Sequence, residues 1–369
     1  MARENNFKAK MIDYILNENL KLTLLSIILG LLSGAVILAI AGFNPLEAYQ
    51  LMIIGMLGSP RGIAWTIVQS TPLILTGLSV AFAFKTGLFN IGVEGQFIIG
   101  ALAATLAGYF LDLPAILHIP TVLLVGMTAA GLWAAFAGYL KAKFGVHEVI
   151  ATIMLNWIAL YLNNYLLEFD SFRRPSSESS HRIKETASIA ITWLRDIVGP
   201  AVRVNWGIVI ALVIAIIVHY ILFKTTLGFQ LRAVGYNRDA SEYGGINVNR
   251  NIIISMAISG MLGGGAGALH VMGVSRQVSV LAAMEGFGFN GIAVSLIGNN
   301  SPIGVALSAI LFGGISYGGR NMQNIGVPSE IISIVIGSII FYIASYKLLQ
   351  FVLKKFNRKN DKGGKQYVK

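Results

Sequence analysis

An all-α, polytopic membrane protein with about ten transmembrane helices is the fold class this sequence predicts. Three observations predict it. Of 369 residues, 55% are hydrophobic and 12% charged; the mean hydropathy is +0.69; and apolar runs long enough to cross a bilayer recur along the chain. That is more apolar surface than a soluble core hides. The 41 glycines suit helices whose backbones approach closely in lipid. The absence of cysteine excludes disulfides and thiolate metal sites.

Residues 1–21 read as a cytoplasmic interfacial helix. In FKAKMIDYILNENLKL, the residues Phe7, Met11, Ile12, Ile15 and Leu16 recur near helical spacing with lysines between them. A transmembrane domain over 22–350 follows. Uninterrupted apolar runs near the roughly 20 residues a bilayer requires lie at 22–41, 63–84, 120–140, 149–167, 206–223, 252–270 and 328–350. Shorter or Gly-interrupted runs lie at 97–111, 286–299 and 302–318. Ala39 and Ala41 imitate a signal-peptidase site, but the apolar run before them is longer than a usual signal core, so it reads as an anchor.

An even number of spans places both termini on one side, and the Lys and Arg bias makes that side cytoplasmic. Of the 28 basic residues, 19 fall on inner segments, and six of the outer nine lie in one long extracytoplasmic loop, 168–205, where five acids nearly cancel them. From Lys347 onward, into the basic cytoplasmic tail 351–369, eight basic residues face a single Asp. The net charge of +11 therefore points to anionic membrane lipid and not to nucleic acid. The loop 168–205 is too small for an independent domain. Its second half, ASIAITWLRDIVG, reads either as an amphipathic helix or as a structured surface loop.

The chain contains no G-x-x-x-x-G-K-[ST] loop, no H-E-x-x-H and no Gly-x-Ser-x-Gly elbow, and its five histidines are scattered. Neither ATP hydrolysis nor metal catalysis is written in it, and it is read as a non-enzyme that binds no cofactor. His219 and His270, near span ends, read as interfacial residues.

Polar chemistry concentrates instead in KTGLFNIGVEGQF, Lys85 to Phe97. Gly87, Gly92 and Gly95 let the backbone leave helical geometry, and Asn90, Glu94 and Gln96 add groups that hydrocarbon cannot satisfy. A carboxylate at the bilayer centre costs roughly 2.5–3.5 kcal/mol on insertion scales, so Glu94 is expected to face a cavity, a partner or the interface. Two readings stay open: an element of a substrate path, or an inner loop whose Glu pairs with Lys85 or another base. EGFGFNGIAVSLIGNNSPIG, Glu285 to Gly304, echoes the first stretch. One such Gly-interrupted segment in each half is the pointer to a transport site on broken helices and to an internal repeat.

The inner loop 224–251 contains FQLRAVGYNRDASEYGG, which reads as a short amphipathic helix, a turn at Gly235 and a second helix closed by Gly244 and Gly245. It is either a docking surface or a solvated connector. GMLGGGAGALHVMG, Gly260 to Gly273, carries overlapping small-xxx-small spacings and reads as tight helix packing.

With GLFNIGVEGQ, HEVIATIMLNWIA, LGFQLRAVGYNRDASEYGGI and GFGFNGIAVSLIGNNSPIG in this order, nearly the whole chain resembles a permease subunit of a bacterial ABC importer. The resemblance is to the group of ribose-type and branched-chain amino-acid permeases, and the first, second and fourth motifs are most similar to its nucleoside-transporting branch. It implies alternating access in the bacterial cytoplasmic membrane with three kinds of partner: an ATP-binding subunit that uses the ATP, a second, paralogous permease, and an extracytoplasmic substrate-binding lipoprotein. It makes Gly228, Arg232, Ala233, Gly235, Asn237, Ala240 and Gly244 the segment coupled to the ATPase. It makes Asn90, Glu94, Gln96, Asn156 and Asn290 hydrogen-bonding groups along the substrate path, with Phe89, Trp157, Phe287 and Phe289 as an apolar or stacking wall. A simple sugar such as ribose is the alternative cargo. An ion-coupled secondary transporter is a more distant alternative, since it needs titratable groups in the core and only Glu94 qualifies.

Overall fold

The computed structural model of the chain describes residues 18–199 and 201–345. The described chain is helical, with no strand beyond isolated bridges. Most of the interfacial segment 1–21 and all of the tail 351–369 lie outside the described residues.

The helices are α1 (Glu18–Ile40), α2 (Pro45–Leu57), α3 (Pro60–Lys85), α4 (Val93–Phe110), α5 (Ala115–Phe144), α6 (Glu148–Leu166), α7 (Gly207–Lys224), α8 (Thr226–Tyr236), α9 (Arg238–Tyr243), α10 (Val248–His270), α11 (Phe287–Ile297), α12 (Pro302–Gly319) and α13 (Ser329–Ala344). Among the described residues, seven helical segments are long and apolar enough to cross a membrane: α3 to α7, α10 with its extension to Ser275, and α12 with its extension to Ile325. Two of these, α4 and α12, are longer than their sequence runs suggest, because the glycines that interrupt hydropathy do not interrupt the helix. α2 was not expected. It is an apolar helix between two spans that the sequence runs straddle, and like Leu25–Ile40 of α1, and like α11 and α13, it is a shorter apolar segment than the seven.

The chain divides into two compact units, residues 1–52 with 319–369, and residues 53–318. In the first, α1 packs against α13, with Gly30 against the backbone of Ile339 and Gly34 beside Val335. Tyr49 Oη donates to the Leu31 carbonyl at 2.7 Å.

In the second unit, α10 is the central helix and contacts α3, α4 and α5. The small-residue spacing explains how. Gly260 lies against the Ala130 carbonyl and Ala134 of α5, Gly264 against Ala130 and Gly126 of α5, and Gly267 against the Phe97 carbonyl of α4. Each glycine lets two backbones meet at a separation that a Cβ would forbid. α3 and α4, which flank α10, are mostly buried, whereas α5, α6 and α7 turn apolar faces such as Leu132, Ile150, Tyr161 and Ile216 outward.

The loop 168–205 differs from the helix reading. Among its described residues it is extended, with one 3-10 turn at Glu185–Ala187 and a four-residue helical turn at Arg195–Val198. Backbone bonds explain this: Ser180 N to the Val278 carbonyl, 2.9 Å, Ile183 N to that of Arg276, 2.9 Å, and Ile189 N to that of Met272, 3.2 Å, pair the loop with the chain after α10. A helix would forgo these partners. The loop 224–251 does form two helices, but the break falls at Asn237, whose side chain accepts from Ala240 N at 3.0 Å and caps α9; Gly235 stays within α8.

The packing of α10 predicts a contrast between neighbours. Gly264→Val should lower stability by about 1–3 kcal/mol through overpacking and reduce the folded yield in detergent. Gly265→Ala, whose methyl would meet the adaptable Met127 side chain, should leave the thermal midpoint unchanged or higher. Thermal unfolding of the two purified variants checks both.

Candidate functional site

The turn between α3 and α4, residues 86–92, is where the chain leaves helical geometry inside the bundle. Gly87 makes this possible with φ of +70°. Thr86 is buried and its hydroxyl accepts from Ser255 Oγ of α10 at 2.8 Å.

Beyond it, Asn90 and Gln96 form a reciprocal amide pair. Asn90 Nδ2 donates to Gln96 Oε1 and Gln96 Nε2 to Asn90 Oδ1, each at 3.1 Å. Asn90 Oδ1 also accepts from Gly92 N at 2.9 Å, and Asn90 Nδ2 reaches Ser259 Oγ of α10 at 2.7 Å. A serine pair extends the network: Ser259 Oγ lies 2.7 Å from the Ser79 carbonyl, and Ser79 Oγ lies 2.6 Å from that of Ser259. From α6, Asn156 Oδ1 accepts from Gly95 N at 2.8 Å and its Nδ2 donates to the Ile91 carbonyl at 3.0 Å. All these side chains are at most 1% exposed. The network thus ties α3, the turn, α4, α6 and α10 together, and its amides are satisfied within the protein.

Glu94 is fully buried. It sits in the first turn of α4, and its Oε1 and Oε2 accept from Gly286 N at 2.7 Å and Gly288 N at 2.6 Å, at the start of α11. One carboxylate therefore faces the positive ends of two helices. Gly286 holds the entry to α11 in the left-handed region, φ +86°, and Gly288 lies directly on the backbone of Val93 and Glu94. Glu285, immediately before Gly286, is exposed.

The remaining expected path residues do not join this cluster. Phe89 stacks on Phe84, ring centroids 5.2 Å apart. Trp157 stacks on Tyr161 at 6.2 Å along an exposed face of α6, and Phe289 and Asn290 are exposed. Phe287 stacks on Phe97 at 5.1 Å and lies 5.2 Å from the His270 ring.

A cavity of about 80 Å³ adjoins that aromatic group, lined by Phe97, His270, Asn163, Gln277 and Glu285 among others. Most of its polar residues were not singled out from the sequence. Gln277 lies in an unpatterned loop, and His270 read as interfacial. Ser79 and Ser259 were also missed, since a serine in an apolar run gives no sign of whether it bonds its own helix or crosses to another. Among the described residues no cluster of His, Asp and Glu is arranged to hold a metal ion.

Against the C-terminal end of α3, where the 86–92 turn begins, α8 and α9 form a helix pair. Gly228 fits against the carbonyls of Ile221 and Leu222 at the end of α7, and Gly235 lies on the backbone of Lys85 and Thr86. Arg232 lies over the Phe223 ring, 5.3 Å from its centroid, and its Nε reaches the Gly228 carbonyl at 3.3 Å. Ala233 is half-buried, Asn237 caps α9, and Ala240 and Gly244 are exposed. Two tyrosines stand out from this pair, Tyr236 at 90% and Tyr243 at 97% exposure.

Residues 62–344 match the family model described as branched-chain amino acid transport system / permease component. The guanosine ABC transporter permease protein NupP of Bacillus subtilis is 44% identical over 343 residues, 93% of this chain and 98% of that one. Two nucleoside ABC transporter permease proteins of Lactococcus lactis are also similar. NupB is 38% identical over 90% of this chain and 92% of its own, and NupC is 31% identical over 68% of this chain and 79% of its own.

The Glu94 contacts predict graded losses. Glu94→Ala leaves two buried N–H groups without acceptors and should destabilise the protein by about 2–3 kcal/mol, whereas Glu94→Gln keeps one acceptor and should lose less. Unfolding of the detergent-purified variants, ranked wild type, Gln, Ala, is the check.

Proposed function

The chain belongs to the branched-chain amino acid transport permease family, and from that membership we propose that it is the membrane-spanning subunit of an ATP-driven importer that carries nucleosides across a bacterial cytoplasmic membrane. The observation that carries the reading is the 44% identity to a guanosine permease over nearly the full length of both chains. ATP is hydrolysed on a separate ATP-binding subunit, consistent with the lack of a phosphate loop in this sequence. A substrate-binding lipoprotein delivers the solute from outside. The Lactococcus lactis pair supports a second, paralogous permease beside this one.

In this reading both termini, α8 and α9 face the cytoplasm, and the inner helix pair docks on the ATPase. Tyr236 and Tyr243 supply exposed aromatic contacts, Arg232 and Asn237 keep the pair in shape, and the small residues Gly228, Ala233, Gly235, Ala240 and Gly244 allow close seating. Gly235 touches the backbone that leads into the 86–92 turn, so a rigid-body displacement of α8 acts directly on that turn. Asn90, Glu94, Gln96 and Asn156 then hold the shape of the path through their internal bonds. Phe89, Trp157, Phe287, Phe289 and Asn290 remain the candidates for contact with solute or with the second permease. Membrane lipid covers outward residues such as Leu132 and Ile216.

Uptake of radiolabelled guanosine, uridine and ribose in cells with and without the gene tests the cargo. Nucleoside uptake should vanish on deletion while ribose uptake persists; loss of ribose uptake alone would move the assignment to a sugar. Arg232→Glu, expressed at wild-type level, should abolish nucleoside uptake while the assembled complex still hydrolyses ATP. Unchanged uptake together with unchanged ATPase association would remove the coupling role.

A further inference from the structure

Where α3 ends, it meets α7, α8 and the turn after α11 around a cavity of about 240 Å³, separate from the one beside Phe97. Phe84 and Lys85 line it from α3, Phe223 from α7, Arg232 and Tyr236 from α8, and Asn300 from the turn after α11. Its charge is of one sign: two cations come from separate helices, and among the described residues no Asp or Glu lines it. A lysine in the last turn of a helix is ordinary complement to the helix dipole. An arginine from the interior of another helix, brought to the same cavity, is not.

The polar side chains there are donors. Arg232 Nε reaches the Gly228 carbonyl at 3.3 Å and the guanidinium lies over the Phe223 ring, which fixes the group while leaving both Nη nitrogens to donate. Among the described residues no carboxylate forms an ion pair with Arg232. Asn300 Oδ1 accepts from Ser295 Oγ at 2.8 Å, so the donor end of that amide is the end left for a ligand. Asn299 and Asn300 hold the turn in the left-handed region, with φ of 51° and 52°, a conformation that Asn tolerates better than most residues.

Depth narrows the ligand. Lys85 is the last residue of α3 and Lys224 the last of α7, and both helices are long and apolar enough to cross a membrane. The cavity therefore lies level with the ends of two spans, where phospholipid headgroups begin. On α7 the outward residues Ile216 and Tyr220 lead at helical spacing to Phe223, so the exposed stripe of that helix runs into the cavity wall. Size agrees. At about 10–15 Å³ per water on this measure, about 240 Å³ has room for roughly 20 waters, ample for a tetrahedral phosphate and its ester links. A phosphate also offers several acceptor oxygens at once to an arginine fork, an ammonium and an amide.

We propose that this cavity binds the phosphate of an anionic phospholipid headgroup, held by Arg232, Lys85 and Asn300, with the acyl chains along the Ile216 and Tyr220 face of α7. Bound there, the phosphate joins α3, α7 and α8 where Gly235 lies on the Lys85 backbone, so the lipid braces the helix pair against the 86–92 turn. The assignment rests on α3 and α7 crossing the membrane and is independent of the cargo.

The importer, purified in detergent with its partner subunits, is titrated with phosphatidylglycerol, phosphatidylcholine or inorganic phosphate while its thermal midpoint is followed. Phosphatidylglycerol should raise the midpoint saturably, and more than phosphatidylcholine does. Lys85→Gln and Asn300→Asp should each raise the half-saturating concentration about fivefold, and Lys85→Arg should restore it. Lys184→Gln, which removes a cation paired with Asp112, should leave it unchanged. Asn300→Asp keeps the acceptor for Ser295 and the preference of the turn, so it decides the matter should Lys85→Gln fail to assemble. An equal shift with inorganic phosphate, lost in the same variants, would keep the phosphate site and make its source a soluble phosphate. A phosphatidylglycerol response identical in wild type and both variants, or no response to either phosphate, overturns the site. Loss of the ATP-binding subunit from the variants with an unaltered lipid response would assign the cavity to an acidic side chain of that subunit and overturns it equally.

Discussion

Glu94 lies between the N-termini of two helices, and the second unit of the chain is organised around that placement. A buried carboxylate is tolerable only where donors replace its hydration. Here the N–H groups of Gly286 and Gly288 do so from α11, while the first turn of α4 contributes its dipole from behind. The bond pair brings together residues 192 and 194 positions apart in sequence. It requires Gly at 288, because α11 approaches so near that a side chain there would overlap the backbone of Glu94. The carboxylate therefore sets where the broken segment begins, and the aromatic contact of Phe287 with Phe97 follows from that position.

Around this carboxyl group the remaining interactions are neutral and reciprocal. Asn90 with Gln96 and Ser79 with Ser259 each pair like with like, and Asn156 supplies for the 91–95 backbone the partners that a continuous helix would have supplied. In a medium that offers no competing water, such pairs substitute for helical hydrogen bonds where the chain is irregular. Glycines on α10 complement them by bringing backbones close enough for short polar side chains to cross between helices.

Much of this was legible in the sequence. The membrane class, most helices, the small-residue packing of Gly260 to Gly267, the helix pair at 226–243 and the family resemblance all rest on strong local signals. The polar turn was visible too, since Asn90, Glu94 and Gln96 stand out against apolar neighbours. What the sequence left open was the partner of each group. Whether Glu94 meets Lys85, a solute or a helix end depends on a segment nearly 200 residues away, and no spacing rule encodes that. The second half of the loop 168–205 stayed open between two readings for a related reason: ASIAITWLRDIVG carries a helical pattern of apolar residues, but Ile189 bonds the distant Met272 carbonyl and only Arg195–Val198 turns helical. The cavity was illegible because Phe97, on a helix, is far in sequence from His270 and Gln277, which sit at a helix end and in a loop.

The π-helix after His270 has a consequence for the angular phase of everything that follows it. Closing a turn with one additional residue offsets the downstream chain by about 100° from where a continued α-helix would carry it. Arg276, in left-handed geometry, then redirects the chain toward Glu185 and Ser180. The side of α10 that reaches Asn90 is set by regular helical periodicity, while the side presented by Gln277 is set by this single wide turn. Those five residues, Val271–Ser275, act as a clocking element between the scaffold and the cavity, so that one inserted or deleted residue there would rotate one part against the other.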